Sequence, residues 1–192
     1  MTRVLVTGFG PLGDVDVNPS ETVVRALAAD PAPNGGVLAT AVLPTAYGRA
    51  GRRIRELLLA ERPDACLLLG VAQGAEALRL ETIARNRADS LAPDVEGQVA
   101  AGLNAVEGGP PAYLATLPVA RMRERLRGRG VAAVLSYDAG GYVCNHVFYL
   151  AAHTAAAAGR IACGFVHVPD SWPPDALLPA VRTCLDVIDS DG

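Results

Sequence analysis

The chain has 192 residues, enough for one domain with its own core, and 51% apolar against 19% charged residues mark it as globular rather than disordered. A formal charge of −3 leaves no basic footprint for nucleic acid, and the local trio Arg79, Arg85 and Arg87 reads as a solvated face. The apolar start Met1–Gly8 is too short for a signal peptide or a membrane span, so a cytoplasmic protein with its four cysteines reduced is expected. Those cysteines, at 66, 144, 163 and 184, form no C-x-x-C pair, and no metal or cofactor is expected.

Arg3–Thr7 is a short apolar strand feeding the glycine-rich loop Gly8–Gly13, and Asn18-Pro19-Ser20-Glu21 opens a helix to about Ala29. Gly8, Gly10 and Gly13 fit a G-x-G-x-x-G motif only with Pro11 inside it, and no acidic residue follows a second strand at the required place. A dinucleotide site is therefore disfavoured. Val37–Leu43 reads as a strand, Tyr47–Glu61 as an amphipathic helix, and Ala65–Leu69 as a central strand covered on both faces. Leu78–Asn86 alternates apolar and polar residues and predicts one half-buried strand. Arg87–Pro111 is rich in Gly, Pro, Asp and Ala and reads as an irregular lid or binding loop. A helix over Val119–Arg129 stops at Gly130, and a strand over Val131–Leu135 leads through Gly140-Gly141 into a helix over Val143–Ala158. Ile161–Pro169 is a last strand and Asp175–Ile188 a last helix. Strands alternating with helices imply a single-domain three-layer α/β/α sandwich over residues 1–192, with a twisted open mixed sheet.

Cys144 falls in the first turn of a helix that follows a strand and a double glycine, where the helix dipole favours an anionic sulfur. A free cysteine is more often packing, as expected for Cys66, but this setting favours a nucleophile. A base must lie within reach. His146 is two residues further on, which on a helix points it roughly 200° away. His153 reads as structural, whereas His167 lies near the end of a strand, just before Pro169, on the sheet edge where Cys144 is also expected. Glu81 sits in a buried-looking strand, where a carboxylate needs a partner, and an imidazole would supply one. These residues make a candidate triad: Cys144, His167 and Glu81.

The chain also resembles the pyroglutamyl peptidase family of cysteine peptidases over nearly its full length. The matching segments include Val4–Phe9, Asn18-Pro19-Ser20, Glu81–Asn86, Pro93-Asp94, Thr116–Pro118, Cys144-Asn145 and Gly164–Pro169. The resemblance implies Cys144 as nucleophile, His167 as base and Glu81 as its orienting acid. The chain departs from the family around the substrate. The family's Gly-Phe-Glu-Pro-Phe-Gly-Gly loop reads Gly8–Asp14, and its Gly-Gln-Ala-Gly-Gly-Arg reads Gly70–Ala75, which puts Val71 at the glutamine. Leu91 stands in place of an arginine and Asp170 in place of a tyrosine. Phe9, Leu12, Val71, Leu91, Tyr142 and Val143 are the expected substrate-binding residues.

A triad kept within an altered pocket resembles the Dieckmann cyclases of natural-product assembly. The expected activity is ring closure that releases a tetramic acid or pyridone from an acyl or peptidyl carrier-protein thioester. Removal of N-terminal pyroglutamate is the alternative. The expected partner is the carrier-tethered substrate, with no nucleic acid or membrane, and a homo-oligomer is left open.

Overall fold

The computed structural model describes residues 2–12, 17–30 and 38–191. Strand β1 (Val4–Phe9) leads to helix α1 (Pro19–Ala29), which Asn18 caps by accepting from the Ser20 amide at 3.0 Å. Strand β2 (Leu38–Leu43) leads to helix α2 (Tyr47–Glu61), which ends on left-handed Arg62 (φ 47°). Next come β3 (Ala65–Ala72), β4 (Leu78–Glu81) and β5 (Ile83–Arg85), then β6 (Ala88–Ser90), β7 (Ala100–Leu103) and β8 (Ala112–Leu114). Helix α3 (Val119–Gly128), β9 (Ala133–Ser136), α4 (Val143–Ala158), β10 (Ala162–Pro169) and α5 (Pro174–Asp191) complete the order. No helix among the described residues is long and apolar enough to cross a membrane.

The central sheet has the order β2-β1-β3-β10-β4-β9. The first four strands are parallel, β4 runs antiparallel to β10, and β9 runs parallel to β4. Side-chain alternation divides the core in two. Leu5, Cys66, Leu68, Cys163 and Phe165 pack under α2 and α4, while Val4, Val6, Leu67, Leu69, Val166 and Val168 pack against α1, α3 and α5. The result is the expected mixed α/β sandwich, with helices on both faces of the sheet.

Two expectations change. The single strand over Leu78–Asn86 is two strands, divided at Thr82. The Thr82 amide donates to the Ser136 carbonyl at 2.8 Å, and its own carbonyl accepts from the Ala115 amide at 2.9 Å. The chain thus leaves the central sheet there, and β5 pairs with β8 instead. The irregular stretch holds a hairpin of β6 and β7, so it is a built flap rather than a structureless lid.

Candidate active site

Sheet parity places the candidate groups before any contact is considered. Gly70 is in step with Cys66 and Leu68, His167 with Cys163 and Phe165, and Glu81 is one step from the oppositely packed Leu80. Gly70, His167 and Glu81 therefore lie on the face that α4 covers. Residue His167 pairs with Gly70 on one side and Arg79 on the other, which sets Glu81 diagonally across from the imidazole. The His167 Nδ1 and Glu81 Oε1 atoms are 2.8 Å apart, with Glu81 fully buried and His167 7% exposed.

Cys144 meets this pair from above. It lies at the edge where β1, β3 and β10 end, beside Phe9, Val71 and Asp170. Because β9 runs opposite to β10, the turn after β9 carries the start of α4 back over the sheet to reach that edge. Gly140 takes the left-handed conformation (φ 82°), and Gly141 lies so close to the Asp89 carbonyl that a Cβ would sit 2.3 Å from its oxygen. Gly70 supplies the remaining clearance, because a Cβ there would stand 2.9 Å from the Cys144 Sγ and 2.7 Å from the Phe165 ring.

The electrostatics join the three groups. Burial alone would depress the His167 pKa, but hydrogen bonds to Cys144 and Glu81, and the charges of both, raise it to about 9. At neutral pH His167 is therefore an imidazolium between a carboxylate and the sulfur. Arg79 Nε stands 3.6 Å from Glu81 Oε1 and its guanidinium donates to Ser136 Oγ at 2.9 Å. The second oxygen of Glu81 has no hydrogen-bond partner among the described residues. His146 and His153 are elsewhere. Burial, then the neighbouring Arg55, push the His146 pKa down to about 4, and its ring packs edge-on to Tyr47. His153 hydrogen-bonds the Tyr113 hydroxyl at 2.8 Å.

Two residues that the sequence reading left without a role hold the site together. Asn145 is buried, accepts from the Arg85 amide at 2.9 Å, and donates to the Arg85 and Arg87 carbonyls at 2.9 and 2.8 Å. It thereby fixes the residue beside Cys144 to the strand that follows Glu81. Asp94 accepts from the amides of Tyr47, Glu96 and Gln98, each at 2.9 Å. Burial raises its pKa, but these three donors outweigh that and bring it below the usual carboxylate value. Asparagine in a first helical turn and the turn-like Pro93-Asp94-x-x-Gly97 were the available signals for these roles.

A cavity of about 680 Å³ opens beside the sulfur. Of the expected substrate-binding residues, Phe9, Leu12, Val71 and Tyr142 line it together with Cys144. Leu91 is 85% exposed, and Val143 is wholly buried in the core; neither lines the cavity. Asn18, Thr45, Gln73 and Asp170 add polar groups to the wall.

Residues 2–179 match the family model described as pyroglutamyl peptidase. The chain is 38% identical over 168 residues to the pyrrolidone-carboxylate peptidase of Pyrococcus furiosus, covering 87% of this chain and 80% of that one. It is 39% identical over 176 residues to the protein of the same name from Streptomyces coelicolor, covering 91% and 80%. A solved structure of a P. furiosus pyrrolidone carboxyl peptidase variant superposes with a TM-score of 0.94 at 32% identity, covering 98% of this chain and 99% of that one. These relatives overturn the expectation of a Dieckmann cyclase acting on a carrier-tethered chain, since all of them are peptidases by name. The physical reason is in the cavity. The altered pocket on which that expectation rested counted Leu91, which is exposed and does not line the cavity. Shared sequence, shared fold and a thiol, an imidazole and a carboxylate gathered beside a largely apolar cavity lead to one conclusion: the chain belongs to the pyroglutamyl peptidase family of cysteine peptidases.

Proposed function

We propose that the protein hydrolyses the amide bond following an N-terminal pyroglutamyl residue, with Cys144 as nucleophile, His167 as acid and base, and Glu81 orienting His167. The observation that carries this reading is the 2.8 Å contact of His167 with Glu81 on the sheet face where the Cys144 sulfur packs over Gly70, the residue paired with His167. The negative sulfur attacks the pyroglutamyl carbonyl carbon, and the His167 imidazolium gives its proton to the departing amine as the C–N bond breaks. The products of this step are a Cys144 thioester and a neutral imidazole. His167 then takes a proton from water, the resulting hydroxide adds to the thioester, and the C–S bond breaks. Free pyroglutamate leaves, and the thiolate–imidazolium pair is restored.

Amide groups at the start of α4, which have no intrahelical acceptor, stabilise the oxyanion.

The test uses a chromogenic pyroglutamyl anilide. The native protein releases the aniline, and Cys144→Ala releases none while its circular dichroism stays native. Iodoacetamide labels Cys144 first and stops release. Cys66 and Cys184 are buried, with pKa values pushed up by the Cys163 hydrogen bond and then burial, and by burial to about 12, respectively. No release by the native protein, or full release by Cys144→Ala, would overturn the proposal.

A further inference from the structure

The cavity beside Cys144 has one charged residue among its described lining groups, Asp170. It follows directly on β10, whose Pro169 pairs with Ala72, and its Oδ1 accepts from the Gly74 amide at 3.0 Å. That bond turns the carboxylate toward the β3–β4 loop, alongside Val71 and Gln73, which line the same wall. No arginine lines the cavity among the described residues, so the negative charge there is not neutralised from within the wall.

This inference rests on the pyroglutamyl peptidase reading and names the peptides that the site prefers. The pyroglutamyl ring carries no charge, so any cation that meets Asp170 belongs to the departing side of the scissile bond. Asp170 lies three residues beyond His167, or roughly 10 Å at the rise of an extended strand. One peptide step plus the long stem of a lysine or arginine spans that distance. We infer that Asp170 is a specificity-determining residue that favours peptides with lysine or arginine immediately after the pyroglutamyl residue. A glutamate at that position is repelled.

Asp170 is exposed, so its effect is modest. An exposed ion pair changes kcat/KM by about 2- to 5-fold.

The experiment compares four peptides, identical except for Lys, Arg, Ala or Glu after the pyroglutamyl residue, by mass-spectrometric release of pyroglutamate. The expected order is Lys and Arg above Ala, and Ala above Glu. The basic-to-neutral ratio of kcat/KM should fall toward one in Asp170→Asn, which keeps an acceptor for the Gly74 amide. It should fall likewise in the native protein as salt rises toward 1 M, where screening shortens the reach of the charge to about 3 Å. A ratio of one in the native protein at low salt, or a ratio unchanged by Asp170→Asn, overturns the inference while leaving the peptidase reading intact. If pyroglutamate is released from none of the four, the peptidase reading fails and this inference fails with it.

Discussion

His167 is subject to opposing influences, and their balance sets its chemistry. Burial favours the neutral ring, whereas hydrogen bonds to Cys144 and Glu81, with the charges of both, favour the cation and prevail, raising its pKa to about 9. An enzyme that needs the imidazolium for leaving-group protonation then loses activity as pH rises through that value. Glu81→Gln keeps the shape of the side chain and removes its charge. It should lower kcat by about 10²- to 10⁴-fold, as the loss of a triad carboxylate does elsewhere. It should also move the alkaline limb of kcat/KM from near pH 9 to lower pH. An alkaline limb that stays put in an active Glu81→Gln enzyme would remove Glu81 from the proposed mechanism. The candidate triad was legible in sequence because each member sat in a context that was costly or reactive by itself: a carboxylate in a buried strand, a thiol at a helix start, a histidine at a strand end. Arg79, 3.6 Å from Glu81, was not legible, since an arginine in an alternating strand looks the same with or without a buried partner.

Between elements, the flap that follows β6 has Asp94 at the centre of several ties. Asp94 accepts from the first-turn amide of α2 at Tyr47 and from two amides of its own turn, and Tyr142 donates its hydroxyl to the Pro93 carbonyl at 2.9 Å. The cavity wall at Ala92 and Pro93 is thus tied both to α2 and to the residue preceding the Cys144 helix. Asp94→Ala leaves three amides without their acceptor and should cost about 1–3 kcal/mol in urea unfolding. It should also raise KM more than it lowers kcat, and expose residues 91–99 to proteolysis. A variant with native stability and a protease-resistant flap would show that Tyr142 and the hairpin suffice. The Asp94 turn had a sequence signal in Pro93-Asp94-x-x-Gly97, but its bond to Tyr47 had none. A loop carboxylate bonded to amides distant in sequence leaves no periodic pattern, whereas α1, α2 and α4 were read with their observed bounds from an Asn-Pro cap and uninterrupted helical stretches. The break at Thr82 was hidden for a related reason: β4 and β5 share one alternation while pairing with different partners.

For the whole molecule, hydrophobic pattern specified the layers but not the direction of the strands. Alternation is the same read either way, so the reversal of β4 and β9 was invisible, and with it the return across the sheet by which α4 brings Cys144 to the ends of β1, β3 and β10. The same layering holds two histidines, His167 buried under α4 and the half-buried His146 on α4 against α2, with opposite consequences for stability. His167 is raised from 6.5 to about 9, so its contribution is complete below pH 6.5 and is lost as pH rises through 9. His146 is lowered from 6.5 to about 4 by burial and by Arg55, and its Nδ1 has no hydrogen-bond partner among the described residues. The unfolded chain therefore takes a proton there below pH 6.5 while the folded chain declines it until about 4, and stability falls across that window. The gap corresponds to about 3 kcal/mol. Asp94 acts at lower pH, since its depressed pKa keeps its contribution until the pH falls below the usual carboxylate value. Stability should thus peak near neutrality, and the acid limb between pH 6.5 and 4 should belong largely to His146. His146→Phe keeps a ring against Tyr47 and removes the titration. Its urea-unfolding free energy should decline less than the native protein's over that interval, by about 3 kcal/mol, whatever the substitution costs at pH 7. Parallel declines in the two proteins would show that His146 takes up its proton in the folded state as easily as in the unfolded one.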